Sequence, residues 1–291
     1  MIIDSHQHFW RLERGDYGWI TQHLAPIFRD FGAGDLRPLL DAHSIDATIA
    51  VQAAPTWADT AFLLDLAKQS PWVLGVVGWM DIEAETAAAD IEQAAEQHPR
   101  LLGLRPMIQD ISDDAWMLQD RLRPAIEAME AADLTFDALV LPKHLEPLKT
   151  FLSRFSSLRV MVDHGAKPEI RNQGFEPWAS DIAAVATHSN AWCKLSGLLT
   201  EARTDQDADD LAPYVQHILD VFGPERCLWG SDWPVLTMAA GYGAWFEMLN
   251  GLTQSLSEDQ RRGLMGENAV AAYPRLAYGL EPFNAHKSGT P

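Results

Sequence analysis

The chain is poor in the features that mark several large classes of protein. Among its 291 residues only Cys193 and Cys227 are cysteines, which excludes the disulfide framework on which small secreted domains depend. Each lies in an apolar, β-prone run ("AWCKLSG" and "RCLWGSD"), the setting of a buried free thiol. No apolar run reaches the ~18 residues that a membrane span requires. Basic residues are scarce: 22 Lys and Arg against 41 Asp and Glu leave a formal charge of −19. A surface that acidic repels nucleic acid and anionic lipid, so neither is expected as a partner. No glycine-rich phosphate loop follows the first strand-like run, which argues against a doubly wound dinucleotide fold. That run begins at residue 2, with no signal peptide before it, so the expected compartment is the cytoplasm.

What the chain has is a core and a rhythm. Apolar residues make up 47% and charged residues 22%, an ordinary balance for a globular enzyme. Eight β-prone runs recur at intervals of about thirty residues: 2–9, 47–54, 73–80, 101–108, 134–141, 158–165, 191–198 and 226–233. Most are continuously apolar rather than alternating, as strands buried on both faces are. Between them, "TAFLLDLAKQ", "AAADIEQAAEQH", "LRPAIEAMEAA", "LEPLKTFLSRF" and "LAPYVQHILDVFG" carry apolar residues at helical spacing. Eight strand–helix units predict an α/β fold, a single (β/α)8 TIM-type barrel over residues 1–280 with a frayed tail at 281–291. Two connections look long, 10–35 after the first strand and 234–255 after the last, and both would emerge at the catalytic mouth.

The polar residues at the strand ends then become the ones to read. The opening "MIIDSHQHFW" sets His6 and His8 two apart on a strand, so both imidazoles share one face. Later strands end on Gln52, Asp81, Arg105, Asp137, His164, Lys194 with Ser196, and Asp232. An unpaired charge among apolar neighbours costs several kcal/mol, and eight strands ending this way describe a polar pocket. His23, His43, His98, His144, His188 and His217 fall in helices or loops and are expected to be solvated.

The same residues carry a resemblance. "DSHQHFW", "GWMD", "GLRP", "VDHGAKP" and "GSDWP", in that order, resemble the amidohydrolase superfamily. The wording is most similar to its sugar-lactone hydrolases, of the L-fuconolactonase and L-rhamnonolactonase kind, related to the pyrone-dicarboxylate lactonases. The resemblance implies hydrolysis of a sugar lactone, and one or two zinc ions bound by the first-strand histidines, the last-strand aspartate and further ligands on the fourth to sixth strands. Here the metal set would be His6, His8 and Asp232, with His164 nearby. The fourth strand offers Arg105, which stays protonated and cannot ligate, and the fifth, "TFDALV", offers no histidine. Zinc is therefore expected as a weak, optional occupant and no cofactor as a requirement.

In that chemistry Asp232 is the candidate general base on water. His164 and one of His6 and His8 would hydrogen-bond the carbonyl oxygen as charge develops. Arg105 and Lys194 supply fixed positive charge for the substrate. Asp137, Gln52 and Ser196 suit sugar hydroxyls, Asp137 equally a salt bridge to Arg105 or Lys194. Trp57, Trp79 and Trp233 are candidates for stacking on a sugar face or for core packing. The expected partner is a small-molecule lactone, with assembly into a homo-oligomer left open. The alternative is a zinc-dependent non-oxidative decarboxylase of the same superfamily.

Overall fold

The computed structural model describes residues 1–188 and 190–287. Eight parallel strands run in chain order: β1 Ile3–Gln7, β2 Ala47–Val51, β3 Val73–Gly78, β4 Leu101–Leu104, β5 Thr135–Ala138, β6 Val160–Val162, β7 Ala191–Leu195 and β8 Cys227–Trp229. Each pairs with its successor. The ring closes where the Asp232 N–H donates to the His6 carbonyl at 2.8 Å and the His8 N–H to the Trp233 carbonyl at 2.7 Å. This is a (β/α)8 barrel, as the eight apolar runs predict.

Every strand is shorter than its sequence run. The strands stop before His8, Gln52, Arg105, His164, Ser196 and Asp232, while His6, Asp137 and Lys194 lie within them. Glycine admits the close approaches of the small ring. A Cβ on Gly103 would lie 2.4 Å from the Thr135 carbonyl oxygen, so β4 and β5 could not pair there with any other residue.

The predicted helices appear as Trp57–Gln69, Ala87–Gln97, Arg123–Ala131, Leu145–Arg154 and Ala208–Phe222. The first long connection is present and tied down. Trp10 and Phe31 exchange both backbone hydrogen bonds at 3.0 Å, and the Tyr17 hydroxyl donates to Asp59 at 2.6 Å. The second is mostly helix: "YGAWFEMLNGL" forms Tyr242–Leu252, leaving a short loop after β8. The tail also differs from expectation. Helix Ala277–Lys287 runs under the barrel floor, where Gly279 meets the Leu74 carbonyl so closely that no Cβ would fit. Phe283 is buried there, so 281–287 is packed helix; residues 288–291 lie outside the described residues. Of the six histidines expected in solvent only His23 is exposed. His144 is buried and accepts the Leu141 N–H at 3.0 Å.

Candidate active site

The barrel mouth holds a cleft of about 170 Å³, walled by Trp19, Met107, Leu139 and Val235 and floored by His8, Arg105, His164 and Asp232. His6 lies directly beneath, fully buried. His6, His8 and Asp232 offer ligand atoms that all fall within 4.8 Å of one another. The shared-face expectation for the histidine pair and Asp232 is met.

The tautomers follow from the partners. His8 Nδ1 stands 2.8 Å from the Val51 carbonyl oxygen, which can only accept, so Nδ1 carries the proton and Nε2 presents a lone pair. His6 Nδ1 faces Asp163 Oδ1 at 3.5 Å, with the same consequence. Asp232 Oδ1 then meets His8 Nε2 at 3.2 Å, His6 Nε2 at 3.7 Å and His164 Nε2 at 3.9 Å. The Nε2 lone pairs of His6 and His8 converging on a carboxylate oxygen repel it unless a shared proton or a cation sits among them. The spacings suit a metal: donors about 2.05 Å from a tetrahedral zinc stand roughly 3.3 Å apart.

Electrostatics keep the cluster in the form that could bind a cation. Burial holds the His6 imidazole well below its ordinary pKa, outweighing the Asp163 carboxylate. Burial also takes His164 down to about 4, against the pull of Asp232 and Asp163. For Asp232 burial acts upward, but the surrounding imidazoles, His164 first, hold its carboxyl well below the usual range. At neutral pH the Asp232 carboxylate therefore faces neutral His6 and His164 rings.

Backbone strain aims two of these groups. Asp232 sits at φ 58° and His164 at φ 56°, a left-handed conformation that costs non-glycine residues about 1–2 kcal/mol each. The His164 ring is oriented by Ser196, whose Oγ lies 2.9 Å from His164 Nδ1. A Cβ at Gly197 would press on that ring at 2.5 Å.

Several residues expected to touch substrate lie elsewhere. Lys194 and Asp137 are sealed a layer below the cleft, Nζ to Oδ2 at 2.6 Å, with the Tyr273 hydroxyl donating to the same oxygen at 2.7 Å. They form a buried ion pair, as one of the two readings of Asp137 allowed. Gln52 is buried, its amide donating to the Arg105 carbonyl at 2.8 Å. Ser196 acts on His164 rather than on the cleft. Trp233 is core, edge-on to Phe31 at 5.2 Å between ring centres. Trp57, Trp79 and Asp81 line a separate depression beside helix Ala87–Gln97. Arg105 does reach the cleft, but it is braced: it donates to the Gln52 carbonyl and lies 3.4 Å from both Asp163 Oδ2 and His6 Nε2.

The residue that sequence reasoning passed over is Asp163. It is fully buried and touches His6, Arg105 and Lys194, the last at 3.1 Å. Burial acts upward on its carboxyl, yet Lys194, His6 and Arg105 hold it well below the ordinary range. The signal was present in "VDHG", an acid at the end of an apolar strand. Trp19, Gln109 and Lys167 of the cleft wall were also missed, because loop residues carry no periodicity.

A parallel barrel whose strand ends gather three imidazoles and a carboxylate beside a fixed arginine has the make-up of a metal-capable small-molecule hydrolase. The chain belongs to the amidohydrolase family, whose profile matches residues 3–275. It is 44% identical over 275 residues to an L-fucono-1,5-lactonase of Burkholderia ambifaria, covering 93% of this chain and 94% of that one. A second L-fucono-1,5-lactonase, from Burkholderia multivorans, is 35% identical, with 93% and 95% covered. A crystal structure of a Burkholderia multivorans amidohydrolase with bound zinc superposes with a TM-score of 0.89 at 34% identity, over 94% of this chain and 99% of that one.

Proposed function

We propose that this cleft hydrolyses an aldonolactone to its aldonic acid, with L-fucono-1,5-lactone as the first substrate to test. The observation that carries the reading is the ionised Asp232 at the base of a narrow cleft, ringed by imidazole nitrogens. The two L-fucono-1,5-lactonases that share its length support it. In this reading Asp232 accepts the proton of water as the oxygen attacks the carbonyl carbon, and passes it to the ring oxygen when that bond breaks. A carboxylate of such low basicity takes a proton late in the attack, so the carbonyl must be polarised. Arg105 and His164 stand where they can do so. Trp19, held by its indole N–H on the Ala53 carbonyl at 2.7 Å, offers a flat wall for the sugar's C–H face. A neutral cleft-sized substrate also fits a chain of formal charge −19, and the buried thiols of Cys193 and Cys227 fit a cytoplasmic setting. The decarboxylase alternative expects a histidine at the end of β5, where this chain has the sealed Asp137.

We assign metal a subordinate part. His6, His8 and Asp232 would hold one zinc ion, which when bound would polarise the carbonyl and acidify water. Arg105, 3.4 Å from His6 Nε2, already supplies positive charge to the same ring and opposes a dication there. The expected result is that chelator-treated enzyme keeps most of its activity on L-fucono-1,5-lactone in a pH-indicator assay, and that added zinc changes kcat by less than about tenfold, one decade being ~1.4 kcal/mol of barrier. Activity that vanishes with chelator and returns with zinc would show the ion to be essential.

A further inference from the structure

Hydrolysis turns a neutral lactone into an anion, and the cleft needs a cation free to meet it. Water oxygen bonds to the carbonyl carbon, the bond from that carbon to the ring oxygen breaks, and one proton ends on the ring oxygen. The other is released and the acid remains as a carboxylate. Lys194 cannot meet that charge, because it is sealed between Asp137 and Asp163. Arg105 is shared among Gln52, Asp163 and His6 and, in the lactonase reading, faces the carbonyl oxygen. Lys167 lines the cleft, held among the described residues by a long ion pair. The one carboxylate within its ion-pair reach there is Glu201, whose Oε1 stands 3.8 Å away.

The backbone commits this lysine to the cleft. His164, Gly165, Ala166 and Lys167 run consecutively through the left-handed region, at φ 56°, 57°, 60° and 52°. Three of the four are not glycine, so the turn persists only because its surroundings impose it. The Trp178 indole donates to the Gly165 carbonyl at 2.7 Å and the Lys167 N–H to the His164 carbonyl at 2.9 Å. Gly165 packs so tightly that a Cβ would fall 2.7 Å from Ile218 Cδ1. One constrained turn thereby brings both His164 and Lys167 to the cleft wall.

We propose that Lys167 binds the carboxylate of the aldonate product as it forms, and so distinguishes the acid from a neutral polyol of the same shape. This rests on the lactonase reading and adds the group that recognises the anion. The ammonium keeps its protons throughout; what it supplies is a charge-assisted hydrogen bond.

The test compares L-fuconate with its neutral counterpart L-fucitol by calorimetry, in wild type, Lys167→Met and Lys167→Arg. Lys167→Met should weaken L-fuconate binding by about 10- to 100-fold, the loss of one charge-assisted hydrogen bond, and leave L-fucitol within about twofold. Lys167→Arg, which keeps the charge, should restore most of the acid's affinity. The inference is overturned if Lys167→Met holds L-fuconate as tightly as wild type, if it loses both ligands by the same factor, or if wild type itself fails to prefer the acid. Failure of the lactonase reading is a separate result: wild type that leaves L-fucono-1,5-lactone intact, with or without zinc.

Discussion

Asp232→Asn should lower kcat on an aldonolactone by roughly 10²- to 10⁴-fold, the usual contribution of a positioned general base, while KM changes little. The amide preserves the shape of the side chain. Its position is also kept, because the left-handed backbone at φ 58° is held by the Asp232 N–H on the His6 carbonyl, and Asn tolerates that region well. What disappears is the negative charge among three imidazoles. The amide cannot take a proton from water, and the converging Nε2 atoms of His6, His8 and His164 lose the carboxylate that makes their centre attractive to a cation. Two measurements separate these losses. Single-turnover kinetics reads the chemical step, and zinc titration followed by calorimetry reads the cation site, which should weaken as well. Near-normal kcat in the variant would remove Asp232 as the base and make His164 the leading candidate.

The parts of this site that were readable from sequence share one property: they are polar residues directly after an apolar strand. His8, Arg105, His164 and Asp232 follow that rule and line the mouth; His6, inside β1, lies directly beneath them. The rule fails on depth. Asp137 and Lys194 lie within β5 and β7 rather than beyond them, and strand stagger in the barrel drops them a layer below the cleft. Sequence position along one strand says which side chains point inward, but not which layer they fill. Asp163 was missed for a different reason. Alternation along a strand would send Asp163 and His164 to opposite faces. The left-handed turn that starts at His164 cancels the alternation, so both contact the cluster, Asp163 at His6 and His164 at Asp232. No pattern in "VDHGAKP" announces consecutive positive φ values, since only one of the four residues involved is glycine. The barrel was legible because eight strand runs, most of them continuously apolar, alternate with amphipathic helical stretches, each kind with its own period.

Lys194→Met should be the most destabilising single change beneath the site, costing about 3–5 kcal/mol, the usual penalty for removing one partner of a buried ion pair. Lys194 Nζ stands 2.6 Å from Asp137 and 3.1 Å from Asp163, and all three side chains are fully buried. Methionine fills the volume but leaves two carboxylates without their shared cation. Asp163 keeps Arg105 and His6; Asp137 keeps only the Tyr273 hydroxyl. Burial already raises Asp137 to about 6, with Lys194 pulling downward, and removing the lysine raises it further. A raised carboxyl binds its proton more tightly folded than unfolded, so this part of the penalty is largest at high pH and shrinks as pH falls through the folded value. Thermal melts should therefore show a deficit of roughly 10 °C at pH 8 that narrows at pH 5.5. Adding Asp137→Asn to Lys194→Met should recover part of the loss by removing the stranded charge, and the double-mutant cycle reads the coupling directly. A Lys194→Met protein that melts like wild type at pH 8, or whose deficit grows on acidification, would mean that the charges at Asp137 and Asp163 are balanced by other groups.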